Sequence, residues 1–84
     1  MAEVILTAQA RKGLDDLPIV VHRRVMTVLS RLERWPDVSG AKPLRRSLAG
    51  RFRMRTGDYR VQFFVRGDVV VVEKIGYRGG FYED

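Results

Sequence analysis

An α+β fold is what this sequence predicts: a short N-terminal strand, a two-helix hairpin, then an antiparallel three-strand meander, with the helices on one sheet face. Three observations predict it. An apolar seam recurs at spacings of four and three in the first half, a period-two alternation replaces it from Leu48 onward, and Gly57-Asp58 and Gly67-Asp68 divide the second half into strands. Eighty-four residues support one hydrophobic core, so a single domain spanning 1–84 is expected.

Glu3-Val4-Ile5-Leu6 reads as the first strand. Thr7 is placed to cap a helix through Ala8 to Leu14, with Ala10, Leu14 and Leu17 as its buried stripe. Pro18 suits the first turn of a second helix, where its missing N–H costs nothing, and Asp15 and Asp16 just before it favour the positive helix end. Val21, Val25, Val28, Leu32 and Trp35 then form a seam along a helix ending near Trp35-Pro36. Residues 36–43 are turn formers and read as a loop.

The meander follows. Leu48, Gly50, Phe52, Met54 and Thr56 alternate with Ala49, Arg51, Arg53 and Arg55, as in a half-buried strand. Gly57-Asp58 suits a two-residue hairpin turn, Tyr59 to Val65 returns, and Arg66-Gly67-Asp68 turns again. Val69 to Ile75, a nearly continuous apolar run, is expected as a strand covered on both faces.

Composition excludes several chemistries. The chain has no cysteine, so it has no thiolate nucleophile or zinc-finger ligand set, and its single histidine, His22, cannot build a metal cluster. His22 is expected on the outer side of the second helix, without a catalytic role, and no metal or cofactor is expected. The N-terminus lacks the pattern of a secretory signal and no window approaches a membrane span, so the cytoplasm is the expected compartment.

Charge points to a polyanion. Sixteen Lys and Arg against ten Asp and Glu give a net charge of +6. Residues 42–66 hold Lys42, Arg45, Arg46, Arg51, Arg53, Arg55, Arg60 and Arg66 against Asp58 alone, which is +7, so the excess sits in one continuous stretch. Arginine outnumbers lysine thirteen to three, and its forked guanidinium suits bidentate phosphate contact.

A two-residue turn at Gly57-Asp58 sets Thr56 opposite Tyr59, Arg55 opposite Arg60, Met54 opposite Val61 and Arg53 opposite Gln62. The arginines then share one face, while Phe52, Met54, Val61 and Phe63 face the core. Two cations directly opposed across a strand pair are destabilising unless an anion lies between them. Arg51, Arg53 and Arg55 recur every ~7 Å along the strand, close to the phosphate spacing of an extended nucleic-acid strand. Arg45, Arg46, Arg51, Tyr59 and Tyr77 are candidate RNA contacts, with packing the stronger reading for Tyr59. The tail from Gly76 to Asp84 adds Arg78, Phe81 and Tyr82; Phe81 is expected to dock into the helix layer, and Tyr82 is a candidate for stacking on a base.

The run Leu48-Ala49-Gly50-Arg51-Phe52-Arg53-Met54-Arg55-Thr56-Gly57-Asp58-Tyr59-Arg60-Val61, followed by Ile75-Gly76-Tyr77-Arg78 and Tyr82, resembles the RelE branch of the RelE/ParE toxin superfamily. Leu17-Pro18 between the helices is also typical of that family, and the likeness spans nearly the whole chain. It implies a RelE-like, microbial-RNase-type fold and the toxin of a type II toxin–antitoxin system. Such a toxin enters the ribosomal A site, cuts mRNA as an endoribonuclease, and is silenced by a RelB-like antitoxin in a hetero-oligomer. The resemblance casts Arg53, Arg55, Arg60, Arg78 and Tyr82 as the catalytic set. Where lysines often stand in the family this chain has Arg53 and Arg55, and where some relatives carry a histidine it has Tyr77, so no conventional general base is in reach. Two other readings remain at the level of sequence: a ParE-like poison of DNA gyrase, and a nucleic-acid-binding module without catalysis.

Overall fold

The computed structural model describes residues 1–81. Its helical half begins where a capping residue meets an apolar stripe. Thr7 accepts the Ala10 N–H at 3.1 Å, and α1 runs Ala8–Asp15 with Ala10 and Leu14 buried. Asp16 lies between the two helices. It caps the end of α1 and pairs with Lys12 one turn back at 3.2 Å. Pro18 stands just before α2 (Ile19–Leu32), and its carbonyl accepts the His22 N–H at 2.8 Å, which closes the first turn. Val25, Val28, Leu29 and Leu32 turn inward from α2, while His22 is half-buried.

Five strands form one sheet in the order β1-β5-β4-β3-β2. They are β1 (Glu3–Leu6), β2 (Lys42–Pro43), β3 (Arg51–Thr56), β4 (Tyr59–Arg66) and β5 (Val69–Tyr77). The meander is antiparallel throughout, whereas β1 pairs with β5 in parallel, Val4 opposite Val70 and Leu6 opposite Val72. The loop expected over residues 36–43 ends as a fifth strand: Lys42 opposes Arg53 and Pro43 opposes Phe52. Two residues, one of them a proline on the outer edge, are as much pairing as that segment supports. A 3-10 turn over Arg46–Leu48 leads into β3, and a second, Arg78–Gly80, follows β5.

The helices pack on one sheet face. Met54, Val61, Phe63, Val70, Val72 and Ile75 from the strands meet Val25, Val28, Leu29 and Leu32 from α2 in the core. Trp35 closes one end, its ring edge-on to Phe52 at 4.9 Å and to Phe63 at 5.4 Å. Gly13 sits against β5 so closely that a Cβ there would overlap the carbonyl oxygen of Ile75. β5 is not covered on both faces as its apolar run suggests. Val70, Val72 and Ile75 are buried, while Val69, Val71, Glu73 and Lys74 are half-open on the far side. No helix among the described residues is long and apolar enough to cross a membrane.

Candidate nucleic-acid interface

The face of the sheet turned away from the helices carries the candidate site, and the hairpin register builds it. Gly57 takes a left-handed backbone, φ 60°, which lets two residues reverse the chain. Arg55 therefore opposes Arg60, Arg53 opposes Gln62 and Thr56 opposes Tyr59, the pairing the turn predicts. Arg60 in turn opposes Gly76 on β5, and Gln62 opposes Lys74. Rows of polar side chains thus cross the open face above the apolar side formed by Met54, Val61 and Ile75.

The face is not the bare solvated surface that the alternation implies. Arg55 is exposed, but Arg53 is only 6% and Arg60 only 9% exposed. The chain beyond β5 crosses the same face. Phe81 does not dock into the helix layer; it folds over the open face, with the Lys74 ammonium 4.5 Å from its ring centre. Gly76 makes room for it, since a Cβ at that position would stand 3.3 Å from the Phe81 ring. Arg60, Tyr77, Arg78, Gly79 and Phe81 together line an open recess of about 520 Å³.

Arg78 reaches this recess through the hairpin turn. Its backbone N–H donates to the Asp58 carbonyl at 2.8 Å, and its Nε lies 3.8 Å from the Asp58 carboxylate. The Tyr77 side chain first, and the Asp58 carboxylate second, hold the Arg78 guanidinium pKa above its already high ordinary value. It is a permanent cation with more than half its surface in solvent. Tyr77 is 50% exposed and its ring stands edge-on to Tyr59, 5.6 Å between centres; Tyr59 is half-buried, as the packing reading of it requires.

Three of the candidate RNA contacts lie elsewhere. Arg51 is paired: its Nε donates to Glu73 Oε1 at 2.6 Å, and Gln62 Nε2 donates to the same oxygen at 3.0 Å. Arg45 and Arg46 are exposed in the turn before β3, beyond Arg51, and Arg46 holds a left-handed backbone with φ 59°. At ~3.3 Å per residue, Arg51 is already about 13 Å along the strand from Arg55, so the fold does not bring Arg45 and Arg46 to Arg60 and Arg78. Tyr82 lies outside the described residues.

Glu73 and Lys74 escape a sequence reading that treats Val69 to Ile75 as one apolar run. Two adjacent charges inside that run are the signal. A register shift at Gln62/Phe63 makes Glu73 the extra residue of a β-bulge, so that both it and Lys74 serve the open face. A second recess, about 390 Å³ near the end of α2, is bordered by Arg31 and Arg34. Arg31 is already committed there, donating to the Ser39 carbonyl at 2.7 Å.

Known proteins resemble this chain closely in sequence and in fold. No protein-family model matches it. Toxin RelG of Mycobacterium tuberculosis is 35% identical over 82 residues, covering 94% of this chain and 93% of the relative. Among solved structures, the RelBE2 toxin–antitoxin complex of M. tuberculosis superposes with a TM-score of 0.81 at 34% identity, covering 92% of this chain and 98% of that one. The isolated E. coli RelE toxin matches at a TM-score of 0.76 and 18% identity, over 92% of this chain and 84% of that one, which shows a shared fold. The archaeal RelE–RelB complex of Pyrococcus horikoshii matches at 0.71 and 27%, over 95% of this chain and 98% of that one. With near-complete coverage at that identity, on a fold shared with the RelE toxins, the chain belongs to the RelE-like toxin superfamily, as the toxin of a toxin–antitoxin system.

Proposed function

We propose that this toxin is a ribosome-dependent endoribonuclease that cuts mRNA in the A site, at the recess between Arg60 and Arg78. The observation that carries the reading is the direct opposition of Arg55 and Arg60 across β3 and β4, with Arg53 beside them and Arg78 anchored at the hairpin turn. Opposed cations weaken a sheet, and a phosphate between them removes the cost. Guanidiniums converging from separate strands offer forked donors to the oxygens of an anion.

The chemistry follows from the groups available. The ribose 2′-oxygen attacks the adjacent phosphorus, the bond from phosphorus to the 5′-oxygen breaks, and a 2′,3′-cyclic phosphate and a 5′-hydroxyl remain. Arg60 and Arg78 stabilise the extra negative charge of the pentavalent phosphorane, while Arg53 and Arg55 hold the neighbouring backbone. The side chains lining the recess include neither a carboxylate nor an imidazole among the described residues. Catalysis then rests on charge stabilisation and on the alignment the ribosome imposes on the 2′-hydroxyl. The 2′-hydroxyl proton passes to the ribosomal RNA, and the departing 5′-oxygen takes a proton from Tyr82 or from solvent. A RelB-like antitoxin with an acidic or amphipathic segment suits the cationic face as its inhibitor.

Primer extension on ribosome-bound message tests the proposal. Cleavage with a cyclic phosphate end is expected, and Arg60→Ala or Arg78→Ala lowers the rate by about 10²–10³, the effect of removing one oxyanion donor. Intact message together with inhibited gyrase supercoiling overturns it.

A further inference from the structure

Glu73 is a carboxylate on the cationic face that the proposed cleavage does not use. It has no strand partner on β4, because Gln62 pairs with Lys74 and Phe63 with Val72. Its carbonyl accepts the Thr7 hydroxyl at 3.2 Å. With the backbone tied to the helical layer, the side chain lies on the open face, four-fifths buried, and accepts from Arg51 and Gln62. The 2.6 Å contact is charge-assisted, and the second bond from Gln62 holds the carboxylate in place.

We propose that Glu73 sets the boundary of the RNA track. It neutralises Arg51 and turns phosphates away from that end of the sheet. The nucleic-acid backbone therefore keeps to the hairpin side of the sheet and stops short of Arg51 and the Arg45-Arg46 turn. A phosphate placed at Arg51 has either to break the pair or to approach the carboxylate, and both are unfavourable. Register follows: a strand stopped at Arg53 has fewer ways to lie across the recess than one free to slide along the whole arginine row. The inference rests on the RNA reading above and names the residue that limits where RNA binds within it.

The salt dependence of binding to a short single-stranded 2′-O-methyl RNA, which lacks the attacking hydroxyl, tests it on the full chain. Each phosphate contact adds about 0.7 to the slope of log K against log salt. Arg51→Ala is expected to leave the native slope unchanged. Glu73→Gln, which keeps the shape and removes the charge, is expected to steepen it by about 0.7 as Arg51 becomes available. The double variant Glu73→Gln/Arg51→Ala is expected to return to the native slope. A shallower slope in Arg51→Ala overturns the boundary and leaves the RNA reading intact; so does an unchanged slope in a folded Glu73→Gln chain. Failure of the native chain to bind this RNA at low salt overturns the boundary, while the cleavage reading stands or falls on primer extension with ribosome-bound message.

Discussion

One hydroxyl joins Thr7 to Glu73 across 66 residues of sequence: Thr7 Oγ1 donates to the Glu73 carbonyl at 3.2 Å while accepting the Ala10 N–H at 3.1 Å. The cap of α1 and the bulge of β5 are therefore a single unit. Thr7→Val keeps the shape and removes both bonds. It is expected to cost about 1–2 kcal/mol in urea unfolding, the range for a lost helix cap. Thr7→Ser is expected to retain most of that stability.

Gly13 offers a sign test of packing against propensity. Alanine in a helix interior ordinarily gains up to about 1 kcal/mol over glycine. Here the added methyl meets the Ile75 carbonyl, a backbone group that cannot turn aside. Gly13→Ala is expected to destabilise by about 1–3 kcal/mol, the range for overpacking, and chemical denaturation reads the sign directly.

The opposition of Arg55 and Arg60 predicts that stability and activity move apart. Replacing the exposed Arg55 by threonine removes a like-charge cross-strand pair and adds a good strand former. Arg55→Thr is expected to raise stability by about 0.2–1 kcal/mol and to slow message cleavage. A stability loss in a thermal melt contradicts the account of Arg55 and Arg60 as a like-charge cross-strand pair.

Asp58 positions Arg78 by two routes, and a substitution separates them. Asp58→Asn leaves the backbone carbonyl that accepts the Arg78 N–H and removes only the charge. Cleavage is expected to fall by less than in Arg78→Ala, with the unfolding midpoint little changed, because the pair is more than half exposed. The sign of the pH effect follows from the raised Arg78 pKa. Its contribution is complete below the ordinary arginine value and is lost only as pH rises past the raised one. Native and Asp58→Asn chains should therefore show parallel stability-against-pH profiles through the neutral range.

Local periodicity determines much of this fold. The cap at Thr7, the seam Val25, Val28 and Leu32, the two-residue turn at Gly57-Asp58 and the register of Arg55 with Arg60 all depend on residues within a few positions of one another. Sequence spacing reports such relations directly. The arginine-rich alternation of β3 was legible for the same reason, and so was the family likeness that rests on it.

Tertiary structure alone decided the rest, because the partners are far apart in sequence and their meeting depends on how the sheet is assembled. The parallel seat of β1 on β5 brings Thr7 to Glu73. The bulge at Gln62/Phe63 turns Glu73 onto the open face, where it takes Arg51 out of the cationic set. The return of Phe81 past Gly76 sets its ring beside Lys74, in the recess that Arg60 also lines. Composition and spacing determined that this chain carries a basic sheet face; the pairing of Arg51 with Glu73 and the seat of Phe81 beside Lys74 depend on distant segments, and no local pattern encodes them.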